Sequence, residues 1–232
     1  MVLDLAKKGS LSVSCVTNGP VQTNTYFVCS QGEVVVIDPA WDGEALAREL
    51  ERMCPGVRPV GIVCTHNHAD HTGGVAGMRR ALGDGVPFLI SRVDAPGVHA
   101  AIEQMKDMWG LAHEEPPAPD RLLDEGDAVC VGDAVLQVFS VPGHTPGGIV
   151  LFAAAAQGDV AFVGDTLFQG SHGRTDLPGG DDAQILRSLA KMARLLPADT
   201  LCLTGHGDVT TMERECAQNP FVVYALGSER PA

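Results

Sequence analysis

A chain of 232 residues, of which 45% are hydrophobic and 5% aromatic, is long enough to bury its own core, which excludes a disordered protein. Its formal charge of -13, from 29 acidic and 16 basic residues, excludes nucleic acid and anionic membrane surfaces as expected partners. Seven scattered cysteines without a Cys-x-x-Cys pair predict reduced thiols in a cytoplasmic protein, and no apolar run is long enough to predict a signal peptide or a transmembrane helix.

The first half of the chain alternates β-prone runs, turn signals and helical patterns. The β-prone runs predict strands at residues 11–16, 25–29, 34–37, 60–64 and 86–90. Leu46 and Leu50 carry helical spacing over residues 43–53, and a second helix is expected from about Asp70 to Leu82.

A further helix is predicted within residues 92–120, where Ile102, Met105 and Trp109 have helical spacing. We expect Met105, Met108 and Trp109 to pack this helix on a core, because an apolar stripe most often does so. The alternative is that these three side chains line a pocket.

After residue 120 the pattern becomes β-prone again. It predicts strands at residues 121–123, 128–131, 134–141, 149–154, 160–163 and 200–203. Helices are predicted at 181–196 and after Met212. This order, strands and a helix twice over, indicates two sheets face to face with helices outside, in one domain spanning residues 1–232.

Residues 65–74 read Thr-His-Asn-His-Ala-Asp-His-Thr-Gly-Gly and directly follow a predicted buried strand. On an extended segment His66 and His68 point the same way, so both can reach one ion. Asp70 and His71 project from the first turn of the next helix and can serve a second ion. Imidazole and carboxylate suit zinc, iron and manganese, and this chemistry is favoured over a chance cluster of surface histidines.

Three later strand ends share one arrangement: a hydrophobic strand stops, a glycine permits close backbone approach, and a single polar side chain is displayed. The displayed residues are His144, Asp165 and His206. For any one of them a lone polar loop residue is the simpler interpretation. Because the same arrangement occurs three times in a chain that also contains the first cluster, we interpret these three residues as further metal ligands.

The His-x-His-x-Asp-His motif of residues 66–71 resembles that of the metallo-β-lactamase-fold hydrolase superfamily, and the resemblance covers nearly the whole chain. A narrower resemblance to the short glyoxalase II-like (hydroxyacylglutathione hydrolase-like) branch is carried by residues 22–26, 164–168, 173–176, 205–207, 210–211 and 219–221. The resemblance implies an α/β fold, a four-layer αβ/βα sandwich of two mixed β-sheets with helices on the outer faces.

The resemblance also implies two divalent metal ions, zinc in the first place, with iron or manganese as alternatives. It assigns one ion to His66, His68 and His144. It assigns the other to Asp70, His71 and His206, with Asp165 bridging the two. Asp70 would also hydrogen-bond the nucleophile, which makes it the implied catalytic residue.

The implied activity is hydrolysis of a small-molecule thioester, S-acylglutathione to acid plus thiol, by attack of a metal-bridging hydroxide. The alternatives are a mononuclear iron persulfide dioxygenase, a lactone or β-lactam hydrolase on the same fold, and a binding protein without catalysis. The Gly-His-Gly at 205–207 is more typical of the hydrolases. Thr204 and Asp208 replace prolines of many relatives, and the chain ends at Ala232 without room for a glutathione-binding C-terminal domain. The acyl group, the thiol and the oligomeric state therefore stay open.

Several further residues have expected supporting roles. Asp38 is expected to accept a proton from a ligand histidine, with a helix N-cap as the alternative, and Thr65 and Thr145 are expected to assist. Arg174 and His172 are candidates for binding a substrate carboxylate, with an Arg174–Asp176 pair as the alternative for the first. His99 and His113 match no motif and are expected to be ordinary surface or core residues.

Overall fold

Two mixed β-sheets contain most of the strands in the computed structural model, which describes residues 3–8, 11–154 and 159–228. The strands of the first sheet are β1 (Leu3–Lys8), β2 (Leu11–Asn18), β3 (Thr23–Ser30), β4 (Glu33–Ile37), β5 (Arg58–Val63), β6 (Phe88–Ser91) and β7 (Arg121–Leu123). They lie in sequence order; β1 to β4 are antiparallel, and β4 to β7 are parallel.

The later strands are β8 (Ala128–Val131), β9 (Ala134–Ser140), β10 (Ile149–Ala153), β11 (Val160–Gly164), β12 (Leu167–Phe168), β13 (Ser171–His172), β14 (Leu201–Thr204) and β15 (Thr210–Thr211). Six of them form the second sheet in the order β15-β14-β11-β10-β9-β8, in which β11 and β14 are the parallel pair. The remaining two, β12 and β13, form a separate hairpin.

The helices connect and cover these sheets. They are α1 (Gly43–Met53), α2 (Ala69–Thr72), α3 (Val75–Leu82), α4 (Val98–Trp109), α5 (Asp182–Leu195), α6 (Met212–Gln218) and α7 (Pro220–Ser228). Within the described ranges, none of these helices combines the length and the apolar content that crossing a bilayer demands.

Three apolar layers hold the sheets and helices together. Strand β3 is buried along its whole length because successive side chains face opposite covered surfaces. Tyr26 and Val28 face the core between the two sheets, whereas Phe27 and Cys29 face α1, α3 and α4. A third core lies between the second sheet and the helices α5 to α7. The predicted four-layer sandwich is therefore confirmed, and the predicted strands and helices agree with it to within a few residues.

The structure differs from the sequence-based expectations in a few elements. The strands β1, β12, β13 and β15 were not predicted. The expected helix from Asp70 to Leu82 is divided into α2 and α3, because the N–H of Gly74 donates to the carbonyl of Pro39 at 2.8 Å and turns the chain there. The expected single domain also includes residues 1–2, 9–10, 155–158 and 229–232, which lie outside the described residues.

The packing expected for the apolar stripe of α4 is wrong for two of its three residues. Met105 is partly buried and packs against the core between the first sheet and helices α1, α3 and α4. Met108 and Trp109 remain 52% and 56% exposed. The alternative, that this stripe lines a pocket, is the one that the structure supports.

Candidate metal centre

The ends of strands from both sheets meet at one edge of the sandwich. The loop after β5 carries His66 and His68, the helix α2 that follows it carries Asp70 and His71, and the loop between β9 and β10 carries His144. Asp165 directly follows β11, and His206 follows β14. Backbone hydrogen bonds join these segments: Ile149 donates to the carbonyl of Thr65 at 2.9 Å. The close packing of these loops brings all seven predicted ligands to one place.

Three groups of side chains have ligand atoms that all lie within 4.8 Å of one another. These groups are His66, His68 and His144; His66, His71 and Asp165; and Asp70, His71 and His206. Asp165 lies between the others, because its carboxylate oxygens are 3.4 Å from both His71 Nε2 and His206 Nε2 and 3.6 Å from His144 Nε2. The first and third groups have the composition that the family resemblance implies for two ions.

The donor atoms fit divalent cations. Nε2 of His66 and of His144 are buried without a hydrogen-bond partner among the described residues, and so is one carboxylate oxygen of Asp165. A buried polar atom without a partner costs about 1–3 kcal/mol, so three such atoms among the candidate ligands fit a site that binds a cation. Imidazole and carboxylate donors in these numbers suit zinc, iron or manganese.

The two halves of the site differ in electrostatics. Burial, together with the neighbouring imidazole of His144, lowers the pKa of His68 to about 3, and burial also lowers the pKa of His66. Burial alone would lower the pKa of His206, but hydrogen bonds to Asp165 and Asp70 outweigh it and raise that pKa to about 10. His66 and His68 thus present neutral imidazoles, whereas His206 lies beside the buried carboxylates of Asp70 and Asp165, which favour positive charge.

Asp38 supports the site from behind the ligands. Its Oδ2 lies 3.0 Å from His71 Nδ1 and accepts from the Thr65 hydroxyl at 2.7 Å, while its Oδ1 accepts from the Thr65 N–H at 2.7 Å. The Thr65 hydroxyl is also 3.0 Å from His66 Nδ1. The N-cap of α1 is Asp42 and not Asp38, because the Asp42 carboxylate accepts from the Ala45 N–H at 3.0 Å.

Backbone carbonyls orient two further ligands. His144 Nδ1 donates to the carbonyl of Arg174 at 2.7 Å, and His206 Nδ1 donates to the carbonyl of Val21 at 3.1 Å. An imidazole that donates through Nδ1 presents Nε2 as its lone-pair donor, so these contacts point both Nε2 atoms into the site.

Asp94 was not predicted from the sequence, yet it joins two ligand loops. Its buried carboxylate accepts from the Asn67 N–H at 3.1 Å, from the Thr145 hydroxyl at 2.7 Å and from the Gly147 N–H at 2.6 Å. Thr145 therefore acts through Asp94, and the structure gives its hydroxyl no contact with a ligand imidazole. The available signal was an acidic residue soon after strand β6, but no glycine stands beside Asp94 to repeat the arrangement of the other strand ends.

A cleft of about 370 Å³ opens over the centre. The metal-site residues His68, Asp70, His144, Asp165 and His206 form its floor. Its walls are formed by Val21, Ala69, Ala101, Gln104, Met105, Met108, Trp109, Phe168, Arg174 and Leu177.

The remaining candidate residues lie around this cleft. Arg174 lines it, but its guanidinium is paired in a bidentate manner with Asp176. His172 packs against Phe221 at a ring distance of 4.3 Å and is absent from the lining of the cleft. Exposed His99 pairs with Glu115, whereas His113 packs on Trp41 at 4.4 Å.

Comparisons with known proteins agree with this arrangement. Residues 18–206 match the family model of the metallo-beta-lactamase superfamily. The crystal structure of BLEG-1 B3 metallo-beta-lactamase has a TM-score of 0.79 and 33% identity, covering 90% of this chain and 99% of that one. That of TTHA1623 in a di-iron-bound form has a TM-score of 0.78 and 38% identity, covering 89% and 98%. The hydroxyacylglutathione hydrolase GloC of Haemophilus influenzae is 30% identical over 188 residues, which cover 81% of this chain and 86% of GloC.

Proposed function

The chain belongs to the metallo-beta-lactamase superfamily, and from that premise we propose that it is a metal-dependent hydrolase of small-molecule thioesters, similar to the hydroxyacylglutathione hydrolases. One observation carries the proposal: two groups of candidate ligands, His66–His68–His144 and Asp70–His71–His206, lie in one site, and the carboxylate of Asp165 is within 3.6 Å of an imidazole nitrogen from each. The similarity to GloC supports a thioester as the substrate class.

The candidate ligands form two groups, each of which would hold one ion. His66, His68 and His144 would hold one ion. Asp70, His71 and His206 would hold the other, with Asp165 between the two. When bound, such ions supply a water-derived nucleophile at neutral pH and positive charge for a carbonyl oxygen. We propose zinc in both positions, with iron or manganese as alternatives.

Asp70 has a second role in this proposal. Its carboxylate lines the cleft, and its Oδ2 accepts from the Thr23 hydroxyl at 3.1 Å. Burial would raise its pKa, but the charge of His71 and the hydrogen bond from His206 outweigh burial and lower it. An ionised Asp70 can therefore accept a hydrogen bond from the attacking water and orient it. The thiolate product needs little protonation to leave, because thiols have low pKa values.

The test measures thiol release from a small panel of thioesters by purified, metal-loaded protein. We expect the purified protein to release thiol well above the uncatalysed rate. In His144→Ala and Asp165→Asn we expect this rate to fall by more than the 10- to 100-fold that is typical when a residue supporting a metal ligand is replaced. His99→Ala is the matched control, because His99 is exposed and pairs with Glu115. Protein that carries about two metal equivalents but releases no thiol would contradict the proposal.

The alternative activities are tested in the same experiment. A persulfide dioxygenase with one iron would leave the second ligand group without a role, so the complete Asp70–His71–His206 group favours hydrolysis. Oxygen uptake with glutathione persulfide would reverse that preference. Lactones and β-lactams belong in the panel, since the same ions can serve their hydrolysis.

A further inference from the structure

We infer that the cleft selects thioesters with uncharged, apolar acyl groups, and that the exposed face of α4 is the surface that recognises them; the inference rests on the proposed thioester hydrolysis. The recognising surface, here called the α4 wall, consists of Ala101, Met105, Met108 and Trp109. It faces the same cleft as the candidate metal centre.

The α4 wall is one continuous helical stripe. Its members lie at positions i, i+4, i+7 and i+8, the spacing that places side chains on one face. Such a stripe is normally buried, yet Met108 and Trp109 are more than half exposed and both line the cleft. Large apolar side chains that converge on a concave site mark binding surfaces, and methionine adapts its shape to different ligands.

The apolar character continues across the cleft. Phe168, from the β12–β13 hairpin, and Leu177 line the cleft, as does Val21. A buried network holds the hairpin in place: Glu215 accepts from the Gly170 N–H at 2.8 Å, and Asn219 donates to the carbonyl of Ser171 at 2.9 Å. An acyl chain that extends from the metal centre into the cleft therefore contacts apolar side chains from several segments.

The charges of the cleft disfavour a carboxylated ligand. Arg174 is the one lysine or arginine among the described residues that line it. Its guanidinium already makes hydrogen bonds of 2.7 and 2.8 Å to Asp176. Carboxylate recognition normally uses a free arginine fork or a lysine, and the chain as a whole carries a formal charge of -13. Among the described residues that line the cleft, the two carboxylates of a glutathione moiety thus find no unpaired lysine or arginine to bind.

The experiment measures binding without turnover. Metal-loaded protein is titrated calorimetrically with S-ethyl, S-butyl and S-hexyl thioethers of N-acetylcysteamine, which are uncharged and cannot be hydrolysed. We expect affinity to rise about two- to fourfold per methylene, the value for burial of an alkyl chain. We expect S-hexylglutathione to bind no more tightly than S-hexyl-N-acetylcysteamine.

Variants identify the surface responsible. Trp109→Ala should remove most of the chain-length dependence of binding, and Met108→Ala should remove part of it. Both side chains are exposed, so the fold should tolerate the changes, and metal content verifies this. Leu195→Ala is the control, because Leu195 is an exposed apolar residue of α5 that does not line the cleft.

The possible outcomes separate the two proposals. Thiol release from thioesters without chain-length dependence of binding, or binding that favours the glutathione compound tenfold or more, overturns the inference about the α4 wall. Chain-length dependence that Trp109→Ala does not reduce overturns it as well. Chain-length dependence that this variant removes, without thiol release from any thioester, supports apolar recognition and overturns the thioesterase proposal instead.

Discussion

Asp38 is buried behind the candidate metal centre, where its carboxylate contacts the imidazole of one candidate ligand, His71. Its backbone has φ of 51°, in the left-handed region, where the chain turns at the end of β4. The strained turn places both carboxylate oxygens toward Thr65 and His71. A backbone held in this sparsely populated region is consistent with a role in positioning ligands.

The variant Asp38→Asn tests this positioning role. The amide keeps the size of the side chain but replaces one acceptor oxygen with a donor, so the bond to His71 Nδ1 or to Thr65 is lost. We expect metal affinity to fall about 10- to 100-fold. Competition with a chromogenic chelator measures the affinity; an unchanged value would show that Asp38 does not orient His71.

Asp94 supports the loops that carry His66, His68 and His144, as Asp38 supports His71. Asp94→Ala leaves the donors of Asn67, Thr145 and Gly147 without their acceptor. We expect the free energy of unfolding to fall by about 1–3 kcal/mol or more, and metal binding by the His66–His68–His144 group to weaken with it.

Urea denaturation and metal analysis of the purified variant measure these two effects. Asp84→Ala is the matched control, since Asp84 is exposed. Equal stability of both variants would contradict the linking role given to Asp94.

At the scale of elements, helix α1 packs closely against α3, the helix that follows the first ligand cluster. A Cβ added to Gly43 would lie 1.9 Å from the carbonyl oxygen of Gly74 and 2.2 Å from the backbone nitrogen of Met78. Both atoms belong to backbone, so neither can rotate away. The two helices approach this closely only because residue 43 has no side chain.

Gly43→Ala should therefore force α1 away from α3. We expect a loss of about 1–3 kcal/mol in the free energy of unfolding, the usual cost of overpacking. Chemical denaturation gives this value. Gly85→Ala is the control, because a Cβ there meets nothing within 4 Å; if the two variants were equally stable, the close approach of the helices would not matter for stability.

At the scale of the whole molecule, the candidate metal centre joins the two sheets. The first sheet delivers His66, His68 and His71, and the second delivers Asp165 and His206. Ions bound between them would bridge the two halves of the sandwich. Binding to the folded state alone then stabilises it, so removal of metal should lower the melting temperature.

The pH dependence of metal binding follows from the charges of the second ligand group. His206 has a pKa raised to about 10, so without a cation it carries a proton at pH 7, and a bound cation must displace that proton. We expect affinity to rise between pH 6.5 and 8.5 by about tenfold per pH unit for each proton released, and to fall as pH decreases. Calorimetry in two buffers of different ionisation enthalpy counts the protons; release of none would contradict this account.

Most residues of the candidate metal centre could be identified from the sequence, because its signals are local. His66, His68, Asp70 and His71 lie within six residues: alternation along an extended segment relates the directions of His66 and His68, and the first turn of a helix relates those of Asp70 and His71. The other three candidate ligands follow strand ends beside glycines, which is also a local pattern. Strand and helix positions follow from periodicity and turn residues for the same reason.

Only the tertiary structure decided which distant residues meet. Asp94 joins Asn67, which lies 27 residues before it, to Thr145, which lies 51 residues after it, and no short pattern encodes such a pairing. Likewise an apolar stripe on a helix has the same sequence pattern whether it covers a core or borders a cleft, so the pattern alone does not show that Met108 and Trp109 stay exposed. The contacts of Asp94 and of the α4 stripe depend on how the two sheets and their helices pack, and that packing is a property of the whole chain.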